Sequence, residues 1–310
     1  MKENIDLAII GGGIAGVSAS VYAKRAGLEF VLFEPKIIGG QLLLMETVDN
    51  YTGISLGTKA RDLALQLAST LKELEIEVIP EEISEFKVSG KQIKLKTSEG
   101  LLTAKAAIIA TGASFKKLGL PREEELTGRG VSYCAICDGF FFKNKIVAVV
   151  GGGNTAVEEA IYLSNICSKV YLIHRRKDLR AIEYLQKELL HKSNIEVIFD
   201  TVVEDLIGAD ILTGINIKNT VTGKAGALSL NGLFVAIGVN PNTQIFKGAV
   251  TLDEAGFITT DEEMKTNCNF IWAAGDCRKR PLRQLVTAAS EGAISAVSAY
   301  KYLKGGYISA

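Results

Sequence analysis

The sequence predicts an α/β protein that holds two dinucleotide-binding units, and three observations carry that prediction. A short apolar strand, Leu7-Ala8-Ile9-Ile10, runs straight into Gly11-Gly12-Gly13-Ile14-Ala15-Gly16 and then a helical pattern. A second glycine turn, Gly151-Gly152-Gly153-Asn154-Thr155-Ala156, repeats the arrangement at an offset of 140 positions, counted from Gly11 to Gly151. Just ahead of it stands a close thiol pair, Cys134-Ala135-Ile136-Cys137, followed by Asp138.

At 310 residues the chain is long enough for two domains, and 47% apolar against 23% charged side chains is an ordinary globular composition. Its 35 basic and 35 acidic residues cancel, removing the bulk attraction on which binding to nucleic acid or to an anionic membrane depends. No apolar run reaches the roughly 18 residues of a membrane span, and the first residues pass directly into a strand. A cytoplasmic protein, with neither nucleic acid nor membrane as partner, is therefore expected. Five cysteines with one close pair do not make a secreted disulfide framework.

In the first unit, Gly11 makes the tight turn, Gly13 lets a pyrophosphate approach the backbone, and Gly16 lets helix and strand pack closely. Phe30-Val31-Leu32-Phe33 is the next strand, and Glu34 ends it where an acid holds ribose hydroxyls. Two loops follow, Ile38-Gly39-Gly40-Gln41-Leu42 and Asp49-Asn50-Tyr51-Thr52-Gly53, whose glycines and amides suit a large polar ligand. A helix is expected from about Thr58 to Glu75, with Leu63, Leu67, Leu71 and Leu74 on its core stripe. Alternation through Ile83, Phe86 and Val88, then Ile93 and Leu95, predicts a hairpin around Ser89-Gly90. A buried strand over 106–110 ends in Thr111-Gly112-Ala113.

Two thiols separated by two residues can close a small disulfide ring, one thiolate exchanging electrons while the other resolves the intermediate. Asp138 is a candidate proton carrier beside them. Half of a zinc site and two unrelated buried thiols are the alternatives. Zinc needs two more ligands, and Cys167, Cys268, Cys277, His174 and His191 offer no second pair, so no metal is expected.

The same offset of 140 pairs Val17 with Val157, Tyr22 with Tyr162, Leu32 with Leu172, and Glu34 with His174. Where the first copy has an acid, the second has His174-Arg175-Arg176, with Arg180 a turn later. A cationic cluster at the ribose end favours a 2′-phosphate, so this site should take NADPH over NADH; a solvated basic helix start is the alternative. Strands are expected near 196–199 and 215–218, and 232–238 echoes 106–112. These two glycine-rich stretches are natural crossings between domains, with Asn240-Pro241 breaking regular structure. A buried strand over 270–274 then leads to Gly275-Asp276, Arg283-Gln284 and a terminal helix over about 285–303.

Taken together, Cys134-Ala-Ile-Cys137-Asp138-Gly139-Phe140-Phe141, the turn at Gly151 to Ala156, His174-Arg175-Arg176 and Gly275-Asp276 resemble the low-molecular-weight thioredoxin reductases. The likeness covers nearly the whole chain. It implies two Rossmann-like dinucleotide-binding domains, an NADPH domain (114–242) carrying the cysteine pair being inserted into a discontinuous FAD domain (1–113 and 243–310). It also implies a homodimer. FAD contacts would come from Gly11, Gly13, Gly16, Glu34, Gly40, Gln41, Asn50, Gly112, Asp276, Arg283 and Gln284. NADPH contacts would come from Gly153, Asn154, Thr155, His174, Arg175, Arg176 and Arg180.

The implied reaction moves electrons from NADPH through FAD and the Cys134/Cys137 disulfide to thioredoxin or a thioredoxin-like protein. Because the pair cannot face flavin and partner at once, the family rotates one domain against the other, and crossings near 113 and 242 would permit that. Gly139-Phe140-Phe141-Phe142 reads either as core packing or as an exposed anchor for the partner, with Arg129 as a charged rim. The competing functions are a related disulfide reductase or dithiol oxidase with another acceptor, and a flavin redox sensor without turnover. The arginine cluster speaks against an oxygen-using version. Cys277 is given no catalytic role.

Overall fold

The computed structural model describes residues 4–45 and 47–305. The chain divides into two compact units, one made of Met1–Ser114 and Asn240–Ala310, the other of Phe115–Val239.

The first unit is built on a sheet in which Val78–Ile79, Phe30–Phe33, Asn4–Ile10 and Leu101–Ile109 run parallel in that order. Leu7 to Ile10 are all buried, as a parallel strand covered on both faces requires. Leu101–Ile109 is long enough to serve two neighbours. Its first half pairs antiparallel with Gln92–Lys96, and its second half pairs parallel with Ile271–Ala273, Trp272 lying opposite Ile108. The expected hairpin forms between Glu85–Ser89 and Gln92–Lys96, with Phe86, Ile93 and Leu95 turned to the core. Trp272 is fully buried and donates its Nε1–H to Ser298 Oγ at 2.9 Å.

Helix Ile14–Arg25 and the terminal helix Leu285–Lys304 cover the sheet and cross closely. A side chain at Gly292 would put its Cβ 2.1 Å from the Ala15 carbonyl oxygen, so the crossing needs glycine there. The helix expected from Thr58 spans Ala60–Glu73, because Thr58–Lys59 first pairs with Thr47–Val48.

The second unit holds five parallel strands in the order Val131–Ser132, Gly232–Val235, Ile146–Val150, Lys169–Ile173, Ile195–Ile198. Beside them lies an antiparallel sheet of Thr201–Ile207, Gly214–Asn219 and Ala225–Ser229. Only its middle strand was legible in the sequence. A register shift between Val203 and Asp205 interrupts the alternation of the first, and Ala225–Ser229 is largely exposed and carries little apolar pattern. Asn240-Pro241 does not break structure as expected. Val239–Pro241 pairs with Ala113–Phe115 as a two-stranded ribbon, where a proline costs no interior ladder bond.

The repeat is realised bond for bond. Gly11 N–H donates to Phe33 O at 2.8 Å and Gly151 N–H to Ile173 O at 3.0 Å. Ala110 N–H donates to Ile10 O at 2.8 Å and Ala236 N–H to Val150 O at 2.9 Å.

Candidate redox and nucleotide sites

Cys134 and Cys137 are joined as a disulfide with Cα atoms 5.3 Å apart. The strand Val131–Ser132 delivers the chain to Cys134, which caps a single helical turn, Ala135–Asp138, and accepts the Cys137 N–H on its sulfur at 3.2 Å. Both cysteines and Asp138 are half-buried. Ser132 Oγ ties the turn together, donating to Asp138 Oδ2 at 2.6 Å and accepting the Cys134 N–H at 3.1 Å. The carboxylate expected to carry a proton is thus held beside the pair. The aromatic run divides. Phe142 packs edge-on against Phe234, while Phe140 is 68% and Phe141 41% exposed.

Downstream of the pair, Gly151 at φ +155° turns the chain into helix Asn154–Ser164, whose Gly153 N-cap has no side-chain cap. No atom lies within 4 Å of a Cβ built on Gly153, so the N-terminus of this helix is open to an anion. Asn154 and Thr155 are exposed there, Asn154 Oδ1 accepting the Ile182 N–H at 2.9 Å. Arg175, Arg176 and Arg180 are exposed, and none forms an ion pair among the described residues. His174 behaves otherwise than the sequence suggested. Its ring is 4% exposed and sits over Gly152, where a Cβ would lie 2.2 Å from the ring, and its Nε2–H donates to Asp178 O at 3.0 Å. Burial, then the neighbouring arginines, hold its pKa below the usual histidine value, against the opposing pull of that hydrogen bond. The cationic surface therefore consists of the three arginines, and His174 is a neutral ring that shapes the turn.

Glu34 occupies the matching place in the first unit. Its Oε2 accepts the Gly12 N–H at 2.6 Å and its Oε1 the Lys36 N–H at 2.8 Å, orienting the carboxylate at the strand end. Neither Gly12 nor Gly152 was singled out from sequence, although each must be glycine to admit the side chain above it. Gly16 is required more strictly, since a Cβ there would lie 1.8 Å from Gly11 O, whereas Gly13 is open.

Four other segments converge on this turn. Ile14, Ala15, Ala110, Ala274 and Ala288 form one small cluster with Tyr51 and Leu285 against it. Gln41 Nε2 donates to Ala113 O, and Asn50 Nδ2 to Gln284 Oε1 at 3.0 Å. Gly40 and Gly112 take φ +56° and +66°, and Gly40 stands against Gly13. Gln284 caps the terminal helix through a reciprocal bond with Thr287. Asp276 Oδ1, Arg280 Nη2 and Arg283 Nε are buried without hydrogen-bond partners among the described residues, although Asp276 Oδ1 lies 3.5 Å from Arg280 Nη1 as an ion pair. Three such orphans on one short segment fit a polar ligand that supplies their partners. Burial raises the pKa of Asp276, opposed by Arg280 and Arg283 and helped by Glu291.

Two acids were not singled out from sequence, Glu291, which is buried, and Glu159, half-buried with one carboxyl oxygen enclosed. Glu291, on the terminal helix, accepts Gly275 N–H at 2.8 Å and pairs with Arg278 at 2.5 Å and Arg280 at 3.1 Å. Glu159, on helix Asn154–Ser164, accepts Ala135 N–H. Both lie at apolar-stripe positions, among Ala288, Gly292 and Ser295 or among Ala156, Ala160 and Leu163, and that spacing was the signal available. Cys277 is fully buried, its thiol facing Ala274 O and Ile109 O, and burial pushes its pKa up to about 12. It is chemically inert.

Comparison with known proteins agrees with this geometry. The model of the pyridine nucleotide-disulphide oxidoreductase family matches residues 5–292. The thioredoxin reductase of Peptoclostridium acidaminophilum is 40% identical over 313 residues, covering 99% of each chain. That of Listeria innocua is 41% identical over 301 residues, covering 96% of this chain and 94% of its own. The crystal structure of thioredoxin reductase from Streptococcus pyogenes superposes with a TM-score of 0.94 at 38% identity, covering 99% of this chain and 100% of that one.

Proposed function

The chain belongs to the pyridine nucleotide-disulphide oxidoreductase family, and we infer that within it this protein is a thioredoxin-disulfide reductase. Electrons pass from NADPH through FAD and the Cys134/Cys137 disulfide to the disulfide of thioredoxin or a thioredoxin-like protein. The observation that carries this reading is the half-buried disulfide, tied by Ser132 to an acid. It lies in the same compact unit as an open glycine turn with three unpaired arginines.

When bound, the nicotinamide supplies a hydride and the flavin takes it up and hands on an electron pair. The residues do the rest. Gly11, Gly13 and Gly16 present the first helix N-terminus to a pyrophosphate, Glu34 offers its carboxylate to ribose hydroxyls, and Gly40, Gln41, Asn50 and Gly112 line the approach. Asp276 and Arg283 offer buried polar atoms that the flavin nucleotide would satisfy, and Gln284, which caps the terminal helix and holds Asn50, lines the same approach. We assign these to an FAD domain made from both ends of the chain. The inserted domain takes NADPH through Gly153, Asn154, Thr155, Arg175, Arg176 and Arg180, with His174 setting the turn from beneath. Asp138 holds the proton that the thiol steps need.

Phe140 and Phe141 are proposed as the apolar anchor for the partner, with Arg129 as its charged rim. The exposure of both rings supports this reading. Arg129 is exposed too, in a cleft with Arg122, Glu125, Leu126, Thr127, Ala209 and Asp210. A homodimer acting in the cytoplasm completes the proposal. The deciding experiment is NADPH oxidation by the flavin-loaded protein with and without a panel of thioredoxin-like acceptors. Turnover that requires the acceptor is expected. Oxygen consumption driven by a small dithiol without NADPH would make the protein a dithiol oxidase, and no turnover with any acceptor would make it a sensor.

A further inference from the structure

Helix Asn154–Ser164 links the second glycine turn to the redox pair. Its buried face is Ala156, Val157, Ala160 and Leu163. The redox segment rests directly on it, since a Cβ on Gly139 would lie 3.0 Å from Leu163 and 3.1 Å from Tyr162. Glu159 projects from this helix to the base of the disulfide turn. Its Oε1 accepts the N–H of Ala135, the residue next to Cys134, at 3.5 Å. Its Oε2 is enclosed and finds no hydrogen-bond partner among the described residues. A buried carboxyl group with one oxygen on the redox turn and the other unsatisfied is costly when ionised, and nothing in the packing requires an acid there.

Burial raises the Glu159 pKa to about 7, opposed by the Ala135 N–H and reinforced by Glu158 on the same helix. Three charged groups on neighbouring elements are engaged elsewhere, while Tyr184 and Glu188 stand on the adjacent helix Glu183–Leu190. Glu183 pairs with Lys187 at 2.7 Å, Lys169 with Glu196 at 2.8 Å, and Asp138 takes the Ser132 hydroxyl.

We propose that Glu159 is a positioning residue of the redox pair, binding one additional proton when the Cys134–Cys137 disulfide is reduced and so setting how reduction depends on pH. This rests on the reading of that disulfide as the electron-carrying pair. NADPH delivers two electrons and one hydrogen in the overall step. The S–S bond breaks, one sulfur becomes a thiol, the other a thiolate, and NADP⁺ leaves. One negative charge is thereby added to the turn whose Ala135 N–H the Glu159 carboxylate accepts. A solvent proton taken up by that carboxylate cancels the added charge, and loosens its hold on the Ala135 N–H. Above neutral pH the carboxylate stays ionised and opposes reduction; below it, Glu159 is already neutral and has no effect.

The test uses the FAD-loaded enzyme and its Glu159→Gln variant, which keeps an acceptor for Ala135 N–H but cannot ionise. Both are equilibrated in dithiothreitol redox buffers, and reduced Cys134 and Cys137 are counted by alkylation and mass spectrometry. At about pH 6 the two proteins should agree within about twofold, and at about pH 8.5 the variant pair should be about tenfold easier to reduce, the factor for one pKa unit. The same wild-type-to-variant ratio at both pH values would overturn the proposal. A pair that dithiothreitol reduces in neither protein would instead overturn its reading as an electron carrier. A second measurement needs no folded Glu159 variant. Reduction of the wild type and of Asp138→Asn should each add a protonated-carboxyl band to the infrared difference spectrum, and its absence from both refutes proton uptake by Glu159.

Discussion

At the scale of single residues, the two sulfurs separate the reaction into halves. Hydride uptake from NADPH does not need the thiols, so Cys134→Ser or Cys137→Ser should keep NADPH oxidation with an artificial dye acceptor while losing disulfide reduction. Full acceptor turnover by either variant would exclude the dithiol route. Under the proposed NADPH assignment coenzyme choice rests on Arg175, Arg176 and Arg180, which are exposed and form no ion pair among the described residues. Each charge-assisted bond to a 2′-phosphate contributes on the order of 1.5–3 kcal/mol, so neutralising them should lower the NADPH-over-NADH preference in kcat/KM by at least about tenfold. Glu159 bears on stability as well. Its folded pKa, raised from 4.5 to about 7, means that the native state binds the proton more tightly than the unfolded chain. Its contribution is therefore fully present below about pH 4.5 and is lost as pH rises through about 7. The urea midpoint of the wild type should fall relative to Glu159→Gln between those limits, and parallel curves would show that the group is not perturbed. The thiol pair was legible because its spacing is local. The neutral state of His174 was not, because it depends on Gly152 and Asp178 closing around the ring.

At the scale of elements, the glycines of one turn do different work, and substitution separates them. A methyl group at Gly16 would meet Gly11 O at 1.8 Å, forcing helix Ile14–Arg25 off its strand, whereas one at Gly13 meets no atom within 4 Å. Gly16→Ala should destabilise the protein by roughly 1–3 kcal/mol or more, as overpacking does, and lower its melting temperature. Gly13→Ala should melt within about 2 °C of the wild type and lose flavin affinity, because its Cβ intrudes only on a bound pyrophosphate. Equal loss of melting temperature in both would mean that Gly13 serves packing alone. The strands and long helices of both units could be read from apolar runs and 3.6-residue stripes. The sheet of Thr201–Ile207 and Ala225–Ser229 could not, since its pairing partners, rather than its own alternation, hold its strands.

At the scale of the whole molecule, function requires a protein partner to reach the pair, and the exposed rings of Phe140 and Phe141, with Ile136 between the cysteines, are apolar surface close to it in sequence. Phe140→Ala, Phe141→Ala or Arg129→Ala should raise KM for a thioredoxin-like acceptor several-fold, the loss of one contact of about 1 kcal/mol or more, with little change toward a small disulfide. Loss of both activities with a lower melting temperature would assign these residues to the fold. Phe142 is the control, because it packs on Phe234 and its loss should act through stability. The sequence alone determined what is local or periodic: the paired glycine turns, the redox spacing, the acid-to-arginine exchange, and the internal repeat. Each is a covalent neighbourhood whose chemistry does not depend on distant chain. Only the tertiary structure decided which polar groups lose water. Folding encloses carboxyl oxygens of Glu159 and Asp276 and the ring of His174 beside particular neighbours, and desolvation, which no sequence window contains, shifts their pKa values.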